Sequence, residues 1–536
     1  MRFRPRNKPF RPNRLPNLAI PLIVVLYMVT NFAHHSWTRH RDGERGVIHW
    51  DVISYYSYLP ATFIYGDVTL GFLDNPPEGF VNDNKFWPSD LDNGNRLIIT
   101  SMGLSVLYAP FFFTAHVLAP VFGEAQDGFG SIYQLFLVLS ALFYVTLGFV
   151  ILKKILLKYF KPLTTAITLL AIAFGTNLYY YSTYESAVAH SYGFFLILLF
   201  LFLVIRWFEN PNLARTVLLG FIFGFLTLVR PTNILVLFIL ILWDVKSWKE
   251  FTARVLFFLQ KSHLVLIMLL AFILAWIPQF IYWKAITGQF LYFSYSAEGA
   301  AFYWAHPHIW QNLFGFKKGW FIYTPMMLLA VGGILLLRKR VPRLFVPTVL
   351  LLLATIYVQS SWWSWWFGGG FGLRAYVDFY GVLAIPLAAV VERFLAIDRK
   401  VLRTGALSAI GLLIAFQVVN TIQVRRNIIH YVGMNRYTYK NSFLRFNYHP
   451  DHWSTLSMPD YQLARKGIYV FYYTGNQYDH LVEMESEVAM DSVRSMVLED
   501  RRLVKEIGWY ADREGLDPEQ AMREVTERMY HSMTKQ

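Results

Sequence analysis

The sequence predicts an all-α polytopic membrane protein with about eleven transmembrane helices. Of its 536 residues, 55% are hydrophobic and only 16% are charged, whereas soluble domains carry about 25% charged residues. The remaining charge is too small to cover the water-facing surface of so long a chain. Apolar runs of span length also recur along the chain, and short basic clusters separate them.

The apolar runs predict the individual spans. A membrane helix needs roughly 17–25 mostly apolar residues. Runs of this kind lie near residues 17–33, 131–152, 163–181, 188–206, 213–229, 232–245, 262–283, 320–337, 344–360, 377–395 and 404–424. The shortest of them is 232–245. The first run offers no small-residue cleavage site, so we expect an uncleaved anchor.

The linkers between the runs predict the orientation of the chain. KKILLKYFK (153–161), RKRVPR (338–343) and RFLAIDRKVLR (393–403) fall on one side, together with the arginine-rich residues 1–16. Cytoplasmic loops carry such an excess of Lys and Arg. We therefore expect residues 1–16 in the cytoplasm and residues 17–424 as the transmembrane domain. The large segments predicted to face outward are 34–130, 284–319, 360–376 and 425–536.

One long apolar stretch, Leu97 to Phe122, does not fit this order. Counting it as a span would place KKILLKYFK and every later basic cluster outside, against the positive-inside rule. We therefore expect helices that lie at the outer interface or dip into it. Gly103, Pro110 and Pro120 suit broken helices. A full span is the alternative, because burial alone does not distinguish the two.

The chain beyond residue 425 changes composition and carries 16 of the 35 acidic residues. This change predicts a small extracytoplasmic soluble domain over 425–536. Its last part, DPEQAMREVTERMYHSM, is typical of a helix with Asp517 as N-cap and Pro518 as first residue.

Composition also excludes several classes of function. The net charge of +14 is spread over short clusters between apolar runs, which argues against nucleic-acid binding. The chain has no cysteine, so disulfides, thiolate metal sites and cysteine nucleophiles are excluded. Because no Walker loop or Rossmann glycine pattern occurs, we do not expect nucleotide hydrolysis to power the protein.

Asp51 stands apart among the acids of the first outer segment. It lies in IHWDVISYYSYLPATFIYGD, between Trp50 and the pair Tyr55 and Tyr56, on a stretch that can form an interfacial helix. A carboxylate shielded by aromatic rings can serve as a general base. The alternative is that Asp51 only caps the helix.

Other ionisable residues interrupt apolar runs on the same predicted side. TYESAVAHSYG contains Glu185 and His190, LVRPTN contains Arg230, and FGGGFGLRAYVDF contains Arg374 and Asp378. Charges at membrane depth are costly, so they tend to be paired or functional. An arginine can hold a phosphate by its planar fork. The alternative is a structural Arg230–Glu185 ion pair between helices.

The segment SSWWSWWFGGGFGLR (360–374) combines four tryptophans with a glycine run. A tryptophan belt at the ends of spans is one explanation. A belt does not require the glycines, which let a backbone approach a ligand closely. The tryptophans, Trp366 among them, offer faces to a sugar or a prenyl chain.

The order of these parts resembles the GT-C superfamily of membrane glycosyltransferases. The likeness is greatest to bacterial relatives of the dolichyl-phosphate-mannose protein mannosyltransferases and of the lipid A aminoarabinose transferase. It covers roughly residues 15–425. It comprises the basic N-terminus, HWDVISYY after the first span, GLSVLYAPFFFTAH, YESAVAHSYG, GFLTLVRPTN and WWSWWFGGGFGLR.

The resemblance implies inverting transfer of a sugar from a polyprenyl phosphate at the outer face, with Asp51 as general base. It implies that Glu185 helps to position substrate or a divalent cation such as Mg²⁺ or Mn²⁺, with Asp51 and Glu185 as the ligands if a metal is bound. Where many relatives have a Lys-Tyr pair, this chain has Ile99 and Thr100. The lipid phosphate would then be held by other basic residues: Arg96, Lys85, Arg230 or Arg374. The remaining residues expected to bind substrate are His190, Tyr55 and Trp366.

The resemblance also implies a bacterial inner-membrane location with the site toward the periplasm, and a lipid, glycan or protein acceptor. Two other functions remain open. A transporter or lipid flippase would favour inverted repeats and charges near the membrane midplane, whereas the charges here lie at the ends of runs. A glycan polymerase or ligase would place its large outer loop late in the chain, whereas here the early loop dominates.

Overall fold

A computed structural model describes residues 14–38, 46–77, 80, 85–295 and 299–534. Most of the basic stretch predicted for the cytoplasm, residues 1–13, therefore lies outside the described residues, as do Asp42, Glu44, Glu78 and Asp83 of the first outer segment. Nearly all the regular secondary structure of the described residues is helical, and the strands form two short two-stranded antiparallel sheets.

The helices of the first half are α1 (Arg14–His34), α2 (Asp51–Tyr56), α3 (Tyr58–Phe63), α4 (Gly103–Leu118), α5 (Ser131–Tyr159), α6 (Pro162–Phe174), α7 (Leu178–Tyr181), α8 (Ala189–Glu209), α9 (Leu213–Val229), α10 (Leu237–Ile241), α11 (Trp248–Gln260) and α12 (Ser262–Thr287). Those of the second half are α13 (Ile309–Phe314), α14 (Trp320–Tyr323), α15 (Met326–Arg340), α16 (Pro342–Ser361), α17 (Tyr380–Leu395), α18 (Lys400–Arg425), α19 (Arg436–Ser442), α20 (Tyr461–Arg465), α21 (Asp479–Val482), α22 (Ser486–Glu499), α23 (Arg501–Glu514) and α24 (Pro518–Thr534). The strands are β1 (Ser89–Asp90), β2 (Arg96–Leu97), β3 (Ser457–Pro459) and β4 (Phe471–Tyr473).

Eight helical stretches of the described residues are long and apolar enough to cross a membrane. They are Arg14–Thr38, Gly103–Phe122, Ser131–Tyr159, Ala189–Glu209, Ser262–Thr287, Pro342–Ser361, Arg374–Leu395 and Lys400–Arg425. The predicted all-α membrane class is thereby confirmed, and the chain is an integral membrane protein. The predicted number of eleven is not confirmed. Three further apolar helices are shorter: Pro162–Phe174, Leu213–Val229 and Pro231–Ile241.

One end of the helix bundle is basic and is held together by ion pairs and a hydrogen bond. Lys153 of α5 donates to Asn17 of α1 over 3.0 Å, and Lys158 at the end of α5 pairs with Glu209 at the end of α8. Arg340 at the end of α15 bonds Glu392 of α17 over 2.8 Å. We call this the basic end. The starts of α5 and α8 and the end of α9 therefore lie at the opposite end.

Helices α9 and α12 cross with their backbones nearly in contact. A Cβ atom added at Gly220 would lie 2.2 Å from the carbonyl oxygen of Met268, and one at Gly224 would lie 2.4 Å from that of Phe272. The two glycines are four residues apart, so they lie on one face of α9. Such small residues are what lets membrane helices pack closely where burial from water supplies no driving force. The crossing fixes the end of α9, which carries Arg230.

Helix α4 is joined to elements at the end opposite the basic end. The hydroxyl of Ser105 donates to the carbonyl oxygen of Tyr55, and that of Tyr108 donates to the carbonyl oxygen of Ala187, just before α8. Near the other end of α4, His116 Nδ1 lies 2.7 Å from the hydroxyl of Tyr133, the third residue of α5. Both halves of α4 thus meet the same end of the bundle.

The chain after α18 has an apolar core of its own. Leu463, Val493, Ile507 and Val525 belong to a buried cluster formed by β4 and helices α20–α24. The backbone N–H of Glu519 donates to the carboxylate of Asp517 over 3.0 Å at the start of α24, as the capping pattern in the sequence predicts. We call residues 426–534 the C-terminal segment.

Candidate functional site

Ionisable side chains from four distant parts of the chain meet at the end of the bundle opposite the basic end. Each one stands where a helix begins or ends, because a charged residue inside an apolar helix would lie in hydrocarbon. Asp51 begins α2, His190 lies at the start of α8, Arg230 ends α9, and Arg374 and Asp378 precede α17. Residues separated by more than a hundred positions are thereby brought together.

Asp51 and Arg374 form a direct ion pair. Oδ2 of Asp51 lies 2.8 Å from Nη1 of Arg374, and 32% of the Asp51 side chain and 19% of the Arg374 side chain are exposed. The carboxylate does not cap α2; the N-cap position belongs to Trp50 and has no side-chain cap bond. Trp50 has φ 47°, which is a strained value for a bulky residue. Backbone strain of this kind concentrates at functional sites.

A second pair lies beside the first. Nδ1 of His190 is 2.7 Å from Oδ1 of Asp378, and Nη1 of Arg230 is 3.5 Å from Oδ2 of the same carboxylate. Asp378 is only 1% exposed, so its charge needs these partners. The structural alternative that pairs Arg230 with Glu185 is wrong, because Arg230 forms its ion pair with Asp378 instead.

Glu185 faces the glycine loop, residues 367–372. Its Oε1 accepts a hydrogen bond of 2.9 Å from Tyr180. A Cβ atom at Gly370 would lie 3.7 Å from Glu185 Oε2 and 2.6 Å from the Tyr181 hydroxyl. Gly370 also has φ +122°, a conformation that side-chain-bearing residues rarely adopt. The backbone of the loop can therefore lie close to Tyr181 and Glu185 only because Gly370 has no side chain.

Two lysines of the site were not predicted from the sequence. Lys318 is 2% exposed; its Nζ donates to the carbonyl oxygens of Gly370 and Tyr431 and lies within range of the charges of Arg374 and Glu185. Burial lowers the pKa of Lys318 well below its usual range. The signal in the sequence is FGFKKGW, a lysine pair on the predicted outer side, where lysines are not in excess.

The neighbouring Lys317 fastens the C-terminal segment to the bundle. Its Nζ donates to the carbonyl oxygens of Val432 over 3.1 Å and Ser457 over 2.6 Å and lies 4.4 Å from the ring centre of Phe471. These partners are neutral, so the ammonium is poorly compensated, and burial lowers the pKa of Lys317 to about 7.

Tyr55 lies between the two arginine pairs. The charges of Arg230, Arg374 and Asp51 all act on its hydroxyl, and burial raises the pKa of Tyr55 well above its usual range. Its phenol is therefore a neutral donor at any physiological pH. Of the two aromatic residues predicted to bind substrate, Tyr55 and Trp366, Tyr55 is the one that lies beside the ion pairs.

Three predicted site residues are placed differently. Arg96 bonds Asp74 over 2.5 Å and lies 3.7 Å from Asp90, so its charge is used within the first outer loop. Lys85 is exposed. Trp366 is 1% exposed and packs against rings of the C-terminal segment, including Phe471 at 5.8 Å between ring centres.

The residues at the site do not fit a divalent cation. Among the described residues, no group of three or more His, Asp or Glu side chains is arranged to hold a metal. Asp51 is already neutralised by Arg374, and Lys318 and Arg374 act on Glu185. Mg²⁺ and Mn²⁺ prefer sites rich in carboxylate and other oxygen ligands.

The basic side chains of the site offer a place for an anion. Arg230, Arg374 and Lys318 lie beside the carboxylates of Asp51, Glu185 and Asp378, and an anion next to Lys318 would favour its protonated form. Buried charge needs compensation, so an anion beside Arg374 and Lys318 would stabilise both cations. The arrangement can therefore hold a phosphate group next to a carboxylate.

The buried Lys317 predicts an unusual pH dependence of stability. Its pKa of about 7 in the folded chain lies below the value of about 10.4 expected when it is unfolded. Between these values the unfolded state binds more protons, so stability rises with pH. Thermal unfolding in detergent measures this effect. Between pH 7 and pH 9, the free energy of unfolding of wild type is expected to increase by about 2–3 kcal/mol relative to that of Lys317→Met.

The exposed Lys440 of the same segment supplies the control. Lys440→Met is expected to follow wild type at both pH values. A stability difference between wild type and Lys317→Met that stays constant from pH 7 to pH 9 would show that Lys317 is solvated.

No protein-family model matches this chain, and no curated protein matches it either.

Proposed function

We propose that this chain is a membrane glycosyltransferase of the GT-C type. It moves a sugar from a polyprenyl phosphate to an acceptor at the outer face of the membrane, with inversion at the sugar. The observation that carries the proposal is the Asp51–Arg374 ion pair beside the buried Lys318, which lies within range of Arg374 and Glu185. A general base and a phosphate-binding arginine are the two groups that this reaction requires.

The donor brings its own leaving group, so no nucleotide is needed. The acceptor hydroxyl oxygen attacks the anomeric carbon while Asp51 takes the hydroxyl proton. The bond between that carbon and the phosphate oxygen breaks, and its electron pair leaves with the polyprenyl phosphate. Arg374 and Lys318 stabilise the growing charge on that oxygen, and Arg230 adds its charge from beside Asp378.

The ion pair also gives the donor a part in freeing Asp51. Without a donor, Oδ2 of the carboxylate is held by the Arg374 guanidinium. A donor phosphate competes for the Arg374 guanidinium, and Asp51 is then released toward the acceptor. Tyr55, buried beside both groups, supplies a neutral hydroxyl to the sugar.

For the arrangement in the membrane we propose the basic end in the cytoplasm and the site at the periplasmic face of a bacterial inner membrane. Helix α4 then lies along the outer interface, since the hydrogen bonds from both of its halves reach the outer ends of other elements. A helix that crossed the bilayer would bring one half to the basic end. Without α4, the seven other long apolar helices and the three shorter ones give ten membrane segments, and α15 would be the eleventh.

The proposal is tested by incubating the purified protein in lipid nanodiscs with a panel of polyprenyl-phosphate sugars and following the lipids by mass spectrometry. Release of free polyprenyl phosphate from at least one donor is expected, and it is expected to persist in EDTA. If every donor stays intact while one of them moves between leaflets of a vesicle, the chain is a transporter and the proposal is wrong.

A further inference from the structure

Buried polar atoms without partners are concentrated beside the tryptophan segment. Native proteins leave few such atoms, and each needs an explanation. Within the described part of the chain, the following have no hydrogen-bond partner here: Gln359 Nε2, Trp363 Nε1, Ser364 Oγ, Trp365 Nε1, His308 Nε2 and Tyr469 Oη. Trp365 is 4% exposed and Tyr469 is 3% exposed.

Three of these residues pack together between the bundle and the C-terminal segment. The ring of His308 stacks on that of Trp365, with ring centres 5.8 Å apart. It also makes an edge contact with the ring of Tyr469, with ring centres 4.2 Å apart. The backbone N–H of Tyr469 donates to Glu506 over 2.8 Å, and Arg502 bonds the other oxygen of Glu506 over 3.3 Å. We call these five residues the seam.

The seam is nearly neutral at physiological pH. Burial lowers the pKa of His308 to about 4, so the imidazole is uncharged. Burial raises the pKa of Glu506 to about 7, so its carboxyl is partly protonated near neutrality. The seam thus combines aromatic rings with neutral donors and acceptors, and its one cation, Arg502, is already paired with Glu506.

We propose that the seam binds a neutral carbohydrate. Sugar rings present apolar faces to aromatic side chains, and their hydroxyl groups both donate and accept hydrogen bonds. Indole N–H, phenol and imidazole groups without partners match those hydroxyl groups. A charged ligand would lose its hydration at a site with little charge left to receive it.

The position of the seam indicates what this carbohydrate does. Trp365 is two residues from the start of the glycine loop, and its neighbour Trp366 packs on Phe471, the ring that lies against Lys317. The seam therefore adjoins the glycine loop, which Glu185 faces, and a glycan bound there would serve as the acceptor of the transferred sugar. This role, unlike the binding itself, rests on the proposed function.

The test measures binding of neutral malto-, manno- and chito-oligosaccharides to the full chain in nanodiscs by calorimetry. At least one series is expected to bind. Trp365→Phe and Tyr469→Phe each remove one hydrogen-bonding group and keep the ring, and each is expected to weaken binding about tenfold. The controls are Trp248→Phe and Tyr437→Phe, which change exposed rings elsewhere and are expected to leave binding unchanged.

The outcomes separate the two proposals. If no series binds at millimolar concentration, the seam holds only water and the inference is wrong. If Trp365→Phe and Tyr469→Phe, correctly folded, bind as wild type does, the carbohydrate site lies elsewhere and the inference is also wrong. If the oligosaccharides bind as expected but no donor releases polyprenyl phosphate, the seam stands and the proposed function fails.

Discussion

Replacing Asp51 with asparagine is expected to lower sugar transfer by about three orders of magnitude, which is within the usual contribution of a general base. The same change is expected to leave binding of polyprenyl phosphate intact or to strengthen it. Asparagine keeps the shape of Asp51 but carries no charge, so Arg374 loses the internal anion that competes with the ligand phosphate. Transfer is measured by mass spectrometry and binding by calorimetry, both in nanodiscs.

The matched control is Asp74→Asn, which removes another ion-paired acid of the first outer loop. Asp74 is 68% exposed and pairs with Arg96, and exposed pairs contribute about 1 kcal/mol at most. Its activity is expected to stay near wild type. If Asp51→Asn loses activity and binding together, the carboxylate serves only to hold Arg374, and the role of base must go to another group.

The second large effect is expected for Arg374→Lys. Lysine keeps the positive charge, but its single ammonium cannot reproduce the planar fork that contacts Asp51 and a phosphate together. Loss of one such electrostatic contact in a transition state typically lowers the catalytic rate by a factor of about 10²–10³. We expect a loss of that size in transfer, together with weaker binding of polyprenyl phosphate.

Arg96→Lys serves as the control for this substitution, because Arg96 pairs with Asp74 and Asp90 within the first outer loop. Near-normal activity is expected. Both variants are compared by thermal unfolding to check that the chain remains folded. Equal losses in the two variants would mean that the phosphate is held by the first outer loop, as the resemblance also allowed.

The fold class could be predicted from sequence because composition and apolar run length follow directly from the bilayer as solvent. The number of spans could not. Pro231–Ile241 and its neighbours are short apolar helices whose depth is set by packing, for example by the close approach of Gly220 to α12. Run length carries no information about that packing.

The site was predictable in part for a related reason. Glu185, His190, Arg230 and Arg374 interrupt apolar runs, and burying a charge is costly enough for such positions to indicate a site. Asp51 is indicated instead by the aromatic residues around it. Lys317 and Lys318 were missed because their burial depends on contacts with residues distant in sequence, the glycine loop and the C-terminal segment. The assignment of Trp366 to the substrate rested on its neighbours in sequence, whereas its contacts come from residues a hundred positions later.

The most direct test of the central claim is a cryo-EM structure of the protein in nanodiscs with bound polyprenyl phosphate. The account predicts the phosphate within hydrogen-bonding distance of Arg374 and Lys318, with the Asp51 carboxylate moved off the guanidinium and the prenyl chain directed into the bilayer. A phosphate bound at the basic end of the bundle, or an Asp51–Arg374 pair unchanged with the phosphate held elsewhere, would contradict it.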